Sequence, residues 1–318
     1  MKVAFQTAAN IMDEESVQEN LNRPDYTINP LLQSLCRTGV TQVFHYGTSS
    51  IEQNGSLKGT GHWINLESLE SDGKFRFSYS PAQEELHDFG VIFVRGDDVD
   101  EQTAEQALLI DSLDEVVLVN SGAATLVTRD KFEIPERFSQ YPDSIPQTYC
   151  VKNLDQLDAA WAAINGEVVV LKGRYGSAGR EVEKFPRTVS GYEQGKKHFE
   201  RFGDVVVQEY LPEIRNGDVR IFAFDGEILG AFKRTPGQVW KTNIMGGGRM
   251  EPIDLPRYIV EKAKTALDAF PDVRFQGLDV TYDSGKFIET NAFPCSLGAL
   301  NTLYGEGHED KIIDKLMN

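Results

Sequence analysis

The chain is short of positive charge and of cysteine, and each shortage removes a class of function. Lys and Arg total 32 against 49 Asp and Glu, a formal net charge of −17. A surface that acidic repels phosphate backbones and anionic lipid headgroups, so neither nucleic acid nor membrane is expected as a partner. The three cysteines, Cys36, Cys150 and Cys295, are far apart and odd in number, with no Cys-x-x-Cys pair. That argues against a disulfide framework or a thiolate zinc site and for free thiols. The five histidines, His45, His62, His87, His198 and His308, show no metal-ligand spacing and default to surface or structural roles. No run reaches the ~18 apolar residues of a membrane helix, and Met1 to Gln6 turns polar too soon for a signal peptide, so the expectation is a cytoplasmic protein. A Walker A loop is missing too. Asp88-Phe89-Gly90 matches a kinase tripeptide, but no His-Arg-Asp loop accompanies it.

What is present is a chain of 318 residues, 40% hydrophobic, enough for two domains or one large, subdivided one. Val3 to Gln6 reads as a strand, Pro30 to Leu35 as a helix with Pro in its first turn, and Val40 to Tyr46 as a strand. The polar stretch from Gly47 to Pro81 offers one signal, the hairpin dipeptide Asn54-Gly55. Val91 to Val94 (strand), Glu101 to Leu113 (helix) and Val116 to Val119 (strand) complete a β-α-β alternation, which predicts an open, mainly parallel sheet. From about Thr125 to Phe202 the pattern is that of a smaller unit. Its elements are a helix at Asp130 to Phe138, a strand at Thr148 to Val151, a helix at Leu154 to Ile164 capped by Asn153, a strand at Val168 to Lys172 and a helix at Tyr192 to Phe202. The last third reads as an antiparallel sheet, with Val205 to Glu209, Arg220 to Phe224 and Ile228 to Lys233 as strands and one helix at Arg257 to Phe270. The expected division is 1–124, 125–204 and 205–318.

Three motifs carry chemistry. Leu278 to Tyr282 and Lys286 to Ile288 flank the turn Asp283-Ser284-Gly285 and should pair as a hairpin, bringing Asp279 and Glu289 to one end with Asn291 beside them. Three hard oxygen donors suit Mg²⁺ or Mn²⁺; the bland reading is a hairpin with solvated acidic ends. Val168 to Leu171 delivers Lys172 into a loop with Gly173, Gly176, Ser177 and Gly179, either a phosphate cradle or a plain surface turn. Val205 to Glu209 runs into Tyr210-Leu211-Pro212. This segment offers backbone to an adenine edge, Tyr210 and Leu211 to its ring and Asp218 to a ribose, or it is an ordinary core strand.

The succession of these motifs with Gly217-Asp218-Val219-Arg220-Ile221 and Met245-Gly246-Gly247-Gly248-Arg249 resembles the ATP-grasp ligases, and specifically the bacterial glutathione synthetases. The likeness is tightest from Leu171 through Asn291 and extends upstream through Ala9-Asn10-Ile11, Asp25-Tyr26-Thr27, Val94-Arg95, Val119-Asn120 and Lys131 in the helix that follows. The resemblance implies an α/β ATP-grasp fold: an N-terminal open parallel-sheet domain, a small lid subdomain and a C-terminal antiparallel-sheet subdomain. It implies that Lys131 and Lys172 contact ATP phosphates, that Gln208, Glu209 and Leu211 frame adenine, and that Asp279, Glu289 and Asn291 hold two Mg²⁺ or Mn²⁺ ions. Arg220, Arg234 and Arg249 would face the acyl group of a small carboxylate such as γ-glutamylcysteine, which an amine such as glycine then attacks. A homo-oligomer would fit the resemblance. Asp279→Asn is then expected to abolish turnover far more than it weakens the fold.

The sequence departs from the family at several points. Gly173 stands where Pro commonly follows the lysine, Ser121-Gly122 where Lys-Pro is usual, and Gly96-Asp97-Asp98 where Asp-Pro-Pro is common. The loop from Thr235 to Met245 is about one residue shorter, with Lys241 in place of Arg. Since Lys cannot clamp a carboxylate bidentately, this departure touches the acceptor pocket. Cys295, beside Ala292-Phe293-Pro294, is either a nucleophile or a packed thiol.

Overall fold

A computed structural model describes residues 1–7, 22, 27–68, 74–78, 80–95, 101–175, 179–243, 247–305 and 307–317. The segments Ala9-Asn10-Ile11, Asp25-Tyr26 and Gly96-Asp97-Asp98, together with Gly176, Ser177, Met245 and Gly246, lie outside the described residues.

The first sheet is built from β1 (Val3–Thr7), β2 (Gln42–Asn54), β3 (Ser56–Asn65), β4 (Arg76–Phe77), β5 (Ala82–Glu85), β6 (Val91–Val94) and β7 (Val117–Val119). Strands β2, β1, β6 and β7 are parallel neighbours in that order, and α1 (Ile28–Arg37) and α2 (Glu101–Leu109) supply crossovers. Asn54-Gly55 does turn a hairpin: β3 folds back on β2, with Gly55 at φ +83°, a conformation that strains any side chain. Much of the unplaced polar stretch is therefore strand, hidden because its Gly, Ser and Thr give no apolar alternation.

Two short helices follow, α3 (Gly122–Arg129) and α4 (Glu133–Arg137). Lys131 lies in the turn between them rather than within a helix. The second sheet comprises β8 (Thr148–Val151), β9 (Val168–Gly173), β10 (Val182–Pro186) and β11 (Val205–Glu209), antiparallel in the order β10-β9-β11-β8. Helix α5 (Leu154–Ala163), capped as expected by the Asn153 side chain on the Gln156 N–H, and α6 (Val189–Phe202) pack on it around Leu157, Trp161, Leu171, Phe185 and Val207. Val205 to Glu209 therefore belongs to the second sheet, which corrects the boundary at 204/205. Three consecutive buried valines mark an interior strand, here flanked by β8 and β9, and the 3₁₀ turn at Pro212–Asn216 redirects the chain only afterwards.

The third sheet holds β12 (Asp218–Phe224), β13 (Glu227–Thr235), β14 (Arg249–Pro252), β15 (Phe275–Thr281) and β16 (Phe287–Ala292), antiparallel in the order β14-β13-β12-β15-β16. Alternation along β12 assigns its two faces. Val219, Ile221 and Ala223 pack with α7 (Arg257–Ala269) and with Ala124, Ile134, Phe138 and Ile145. Ala124, Ile134, Phe138 and Ile145 thus share their core with the third sheet, whereas residues 130–132 contact the end of the second. On the other face Phe222 and Phe224 join Phe5 and Phe93 of the first sheet in one core. Asn120 splices the two sheets: its amide donates to the Phe275 carbonyl (2.8 Å) and accepts the Phe275 N–H (2.9 Å). Helices α8 (Leu297–Tyr304) and α9 (Asp310–Met317) close the chain. The architecture is the expected α/β one, but the first sheet is mixed, its four parallel strands extended by β3, β4 and β5 in antiparallel pairing, and two antiparallel sheets follow.

Candidate active site

Asp218 and Arg220 occupy the same face of β12 as Phe222, so one surface of the third sheet turns from apolar to charged along its length. Strand register sets the charged part. Arg220 lies opposite Asp279, Asp279 opposite Glu289, and Asp218 opposite Arg234. Arg220 grips Asp279 through Nε on Oδ1 and Nη2 on Oδ2 (2.8 Å). Arg234 reaches Asp279 Oδ2 at 2.8 Å and forks onto Asp218 at 2.8 and 2.6 Å, while the Thr242 hydroxyl donates to Asp218 Oδ2 at 2.7 Å. All four charged side chains are buried. Burial alone would raise the Asp279 carboxyl, but Arg220 and Arg234 outweigh it and hold the group down at about 2. Gly277 makes room for this packing, since a Cβ there would come within 2.5 Å of Pro294 and 3.4 Å of the Arg220 stem.

The opposite wall carries Lys131 and Lys172, both buried. Burial pushes Lys172 down to about 8, with Glu289 and Asp279 pulling it up and Lys131 pushing it further down. Lys131 is lowered by burial and supported by Glu289. Glu289 thus sits within electrostatic reach of both ammonium groups and directly across from Asp279, so the second and third sheets converge there. Asn291, two residues on and on the same face, has its Nδ2 buried without a hydrogen-bond partner. Half a turn of that amide would present an oxygen instead. Asp279, Glu289 and Asn291 all carry oxygens suited to a hard divalent cation, the Asn291 amide having an unpartnered nitrogen and Asp279 keeping little spare capacity because its oxygens already accept from two guanidiniums.

Not every expected residue joins this centre. The carboxylate of Asp218, expected at a ribose, is filled by Arg234 and Thr242. Arg249 pairs with Thr235 at the exposed start of β14, and because Arg234 pairs with Met250, alternation puts Arg249 on the face away from the charged ladder. Lys241, expected at an acyl carboxylate, donates to the Gly179 carbonyl at 2.5 Å, tying its loop to the glycine-rich one. Gly179 itself has φ +68°, which its lack of a side chain permits. In the adenine segment the Glu209 N–H is bonded to Gln147 O (2.9 Å), the Leu211 carbonyl accepts from Ile214 N–H (3.1 Å), and the Gln208 amide donates to Thr148 (2.8 Å). The Glu209 carboxylate turns toward Lys286 (3.7 Å) and a groove of about 570 Å³ that neither Lys131 nor Lys172 lines. Tyr210 packs edge-on against Trp240, with Lys184 Nζ over both rings at 4.5 and 5.2 Å. Cys295 lies 3.3 Å from Arg95 Nη2, and Cys150, pushed up to about 11 by burial, is a packed thiol. All three cysteines are free.

Several participants carry little sequence signal. Thr242 stands in a polar loop, and Trp240 looks like a stray aromatic. Thr27 hydrogen-bonds across 270 residues, accepting the Leu297 N–H at 3.1 Å and donating to the Pro294 carbonyl, which shapes the loop after β16.

Residues 124–304 match the family model for the prokaryotic glutathione synthetase, ATP-grasp domain. The glutathione synthetase of Agrobacterium fabrum is 28% identical over 226 residues, which span 67% of this chain and 66% of that protein. The tetrahydromethanopterin:alpha-L-glutamate ligase of Methanocaldococcus jannaschii is 31% identical over 125 residues, 37% of this chain and 41% of that one. Among solved structures, the D-cycloserine synthetase DcsG superposes with a TM-score of 0.66 at 14% identity, over 99% of this chain and all of the other. The D-alanine–D-alanine ligase of Bacillus anthracis complexed with ATP does so with a TM-score of 0.61 at 14% identity, over 100% and 97%. The fold is thus that of ATP-grasp ligases, and the matched region, more than half of the chain, shows that this protein belongs to the prokaryotic glutathione synthetase family of ATP-grasp ligases.

Proposed function

We propose that the protein is an ADP-forming carboxylate–amine ligase that joins glycine to γ-glutamylcysteine, with the second sheet acting as a lid over ATP. The observation that carries the reading is the convergence of Lys131 and Lys172 on Glu289, which pairs across the strands with Asp279 of the Arg220–Asp279–Arg234 ladder. Buried lysines of lowered pKa carry a poorly solvated charge that a polyphosphate would compensate. Asp279, Glu289 and Asn291 would hold two Mg²⁺ or Mn²⁺ ions, which when bound would supply Lewis-acid neutralisation of the transferred charge.

The reaction then needs no covalent nucleophile from the protein. A substrate carboxylate oxygen bonds to the γ-phosphorus as the bond to the β-bridging oxygen breaks, giving acyl phosphate and ADP. The amine nitrogen next bonds to the acyl carbon, phosphate departs with the bridging oxygen, and the nitrogen loses a proton to solvent or base. Fixed cations serve both steps, since negative charge builds on oxygen in each. Lys131 and Lys172 steady the nucleotide phosphates. Arg220 and Arg234, held rigid by Asp279 and Asp218, present preset dipoles to the acyl oxygens. The glycine-rich loop, including Gly176, Ser177 and Gly179, closes over ATP and excludes water from the acyl phosphate.

A related ligase with a different carboxylate or amine substrate is the second reading, favoured by Lys241 lying on Gly179 and not free to clamp a carboxylate. Coupled detection of ADP separates the two. Release with Mg²⁺, γ-glutamylcysteine and glycine supports the first, and release only with another pair from a panel of dipeptides and amino acids supports the second. Silence with every pair, despite nucleotide binding, would leave a non-catalytic ATP-binding protein.

A further inference from the structure

We infer that Arg174 is a positioning residue that holds Lys131 and Lys172 side by side, with Asp130 and Asp204 as its anchors. The inference rests on reading those two lysines as nucleotide-phosphate contacts. Two buried ammonium groups within electrostatic reach of each other repel, and the repulsion grows where water is excluded. Something must fix their backbones before a polyanion arrives.

Arg174 is placed to do so from the end of β9, two residues beyond Lys172. Its guanidinium forks onto Asp130, Nε to Oδ1 at 2.9 Å and Nη2 to Oδ2 at 2.6 Å, and its Nη1 donates to Asp204 at 3.0 Å. The Arg174 carbonyl accepts the Lys131 N–H at 3.1 Å, and the Arg174 N–H donates to the Asp204 carbonyl at 3.1 Å. Asp130 Oδ1 also accepts the Phe132 N–H at 2.9 Å, and the guanidinium carbon lies 4.5 Å from the Phe132 ring and 4.9 Å from that of Tyr175. Residue 130, the Lys131 N–H and residue 132 are therefore all fastened to one side chain and its peptide unit. Planar, bidentate pairing of this kind sets orientation as well as distance, which an ammonium cannot copy. Its donors are committed to two carboxylates, so Arg174 acts through the lysines and not on a phosphate directly. Position in the glycine-rich loop would otherwise have suggested direct contact.

The test is calorimetric titration of Mg–ADP into the full-length protein and into Arg174→Ala, Arg174→Lys, Lys131→Gln and the Arg174→Ala/Lys131→Gln pair, each checked for an intact melting transition. Arg174→Ala should weaken Mg–ADP about tenfold, a common size for coupling within one ion-pair network, with Arg174→Lys recovering only part of it. In the Lys131→Gln background the same substitution should cost clearly less than tenfold, because one of the two lysines it positions is gone and only the Lys172 share remains. The reciprocal exchange Asp130→Arg with Arg174→Asp should restore part of the affinity lost by either change alone. Equal losses with and without Lys131, or no loss from Arg174→Ala, overturn the inference. Failure of the unaltered protein to bind Mg–ADP at all would instead overturn the phosphate reading on which it rests.

Discussion

Lys172 gives the sharpest separation of function from stability, because replacing it with Met should strengthen the empty fold while weakening nucleotide binding. The side chain is 8% exposed, and burial brings its ammonium from 10.5 to about 8. At roughly 1.4 kcal/mol per unit, that difference is ~3 kcal/mol of charge burial that the native state bears at neutral pH. The unfolded chain holds this proton more tightly. Stability should therefore rise with pH between about 8 and 10.5 as native Lys172 sheds it, and the full cost should persist below about 8. Met fills a similar volume without the charge. With unfolding entropy near 2.1 cal/mol/K per residue, ~3 kcal/mol over a chain of this size corresponds to a melting point about 4 °C higher for Lys172→Met at pH 7. Above about pH 11 the gain should shrink toward zero, since the unaltered lysine is then largely neutral in both states. Adding Mg–ADP should reverse the order: at a hundredfold excess over Kd it stabilises a binding-competent protein by about 2.7 kcal/mol, and the variant should gain far less. Melting curves at the two pH values, with and without Mg–ADP, give all four comparisons. A lower melting point for the nucleotide-free variant at pH 7, or equal stabilisation of both proteins by Mg–ADP, refutes the reasoning.

Three other substitutions probe the frame around this site. The buried pairing of Asp279 revises the expectation that its loss would spare the fold: Asp279→Asn should abolish ADP release and also cost about 3–5 kcal/mol, because it leaves Arg220 and Arg234 buried beside one carboxylate fewer; an unchanged melting point would show that the arginines are paired differently. Gly277→Ala forces a Cβ to within 2.5 Å of the Pro294 ring, so it should lower both melting point and turnover, and full activity would mean that the loop after β16 does not set the Arg220 position. His45, wholly buried and brought down by burial to about 4, must stay neutral in the fold, so stability should fall as pH drops from 6.5 toward 4, by ~3 kcal/mol at the lower end. Acid unfolding of His45→Gln should lose that slope over the same window, and an identical slope would assign the acid loss to other groups.

The hairpin at Phe275–Ala292 was legible because its turn, its alternation and its acidic residues all agree, and the register does bring Asp279 opposite Glu289. The strand that delivers Lys172 was legible for the same reason. Other parts resisted. Val205–Glu209 follows the second unit and precedes the third, and nothing in three valines tells which neighbours they will pair with. Strand β14 is four residues ending in Pro252, too short and too polar to announce itself, and without it the face of Arg249 could not be assigned. Helices α8 and α9 went unread, the first because it starts behind Ser296 in a left-handed conformation and not behind an ordinary cap. The partners of Lys241 and Asp218 depend on loops whose closest contacts lie 62 and 24 residues away, and spacing cannot report such pairings.

Sequence motifs name the charged residues of this site but not how their charges are shared, and the sharing is what divides their roles. Arg220, Asp279, Arg234 and Asp218 neutralise one another as two cations against two anions, each fixed by its strand. A neutral, buried ladder exerts little net pull on a distant polyanion, yet it orients donors where charge develops. The attraction for phosphate must then come from Lys131 and Lys172, which share Glu289, with Glu181 and Asp130 also acting on Lys131 and Asp279 on Lys172. Substitutions in the ladder should consequently damage fold and turnover together, whereas those at the lysines should cost binding and relieve the fold.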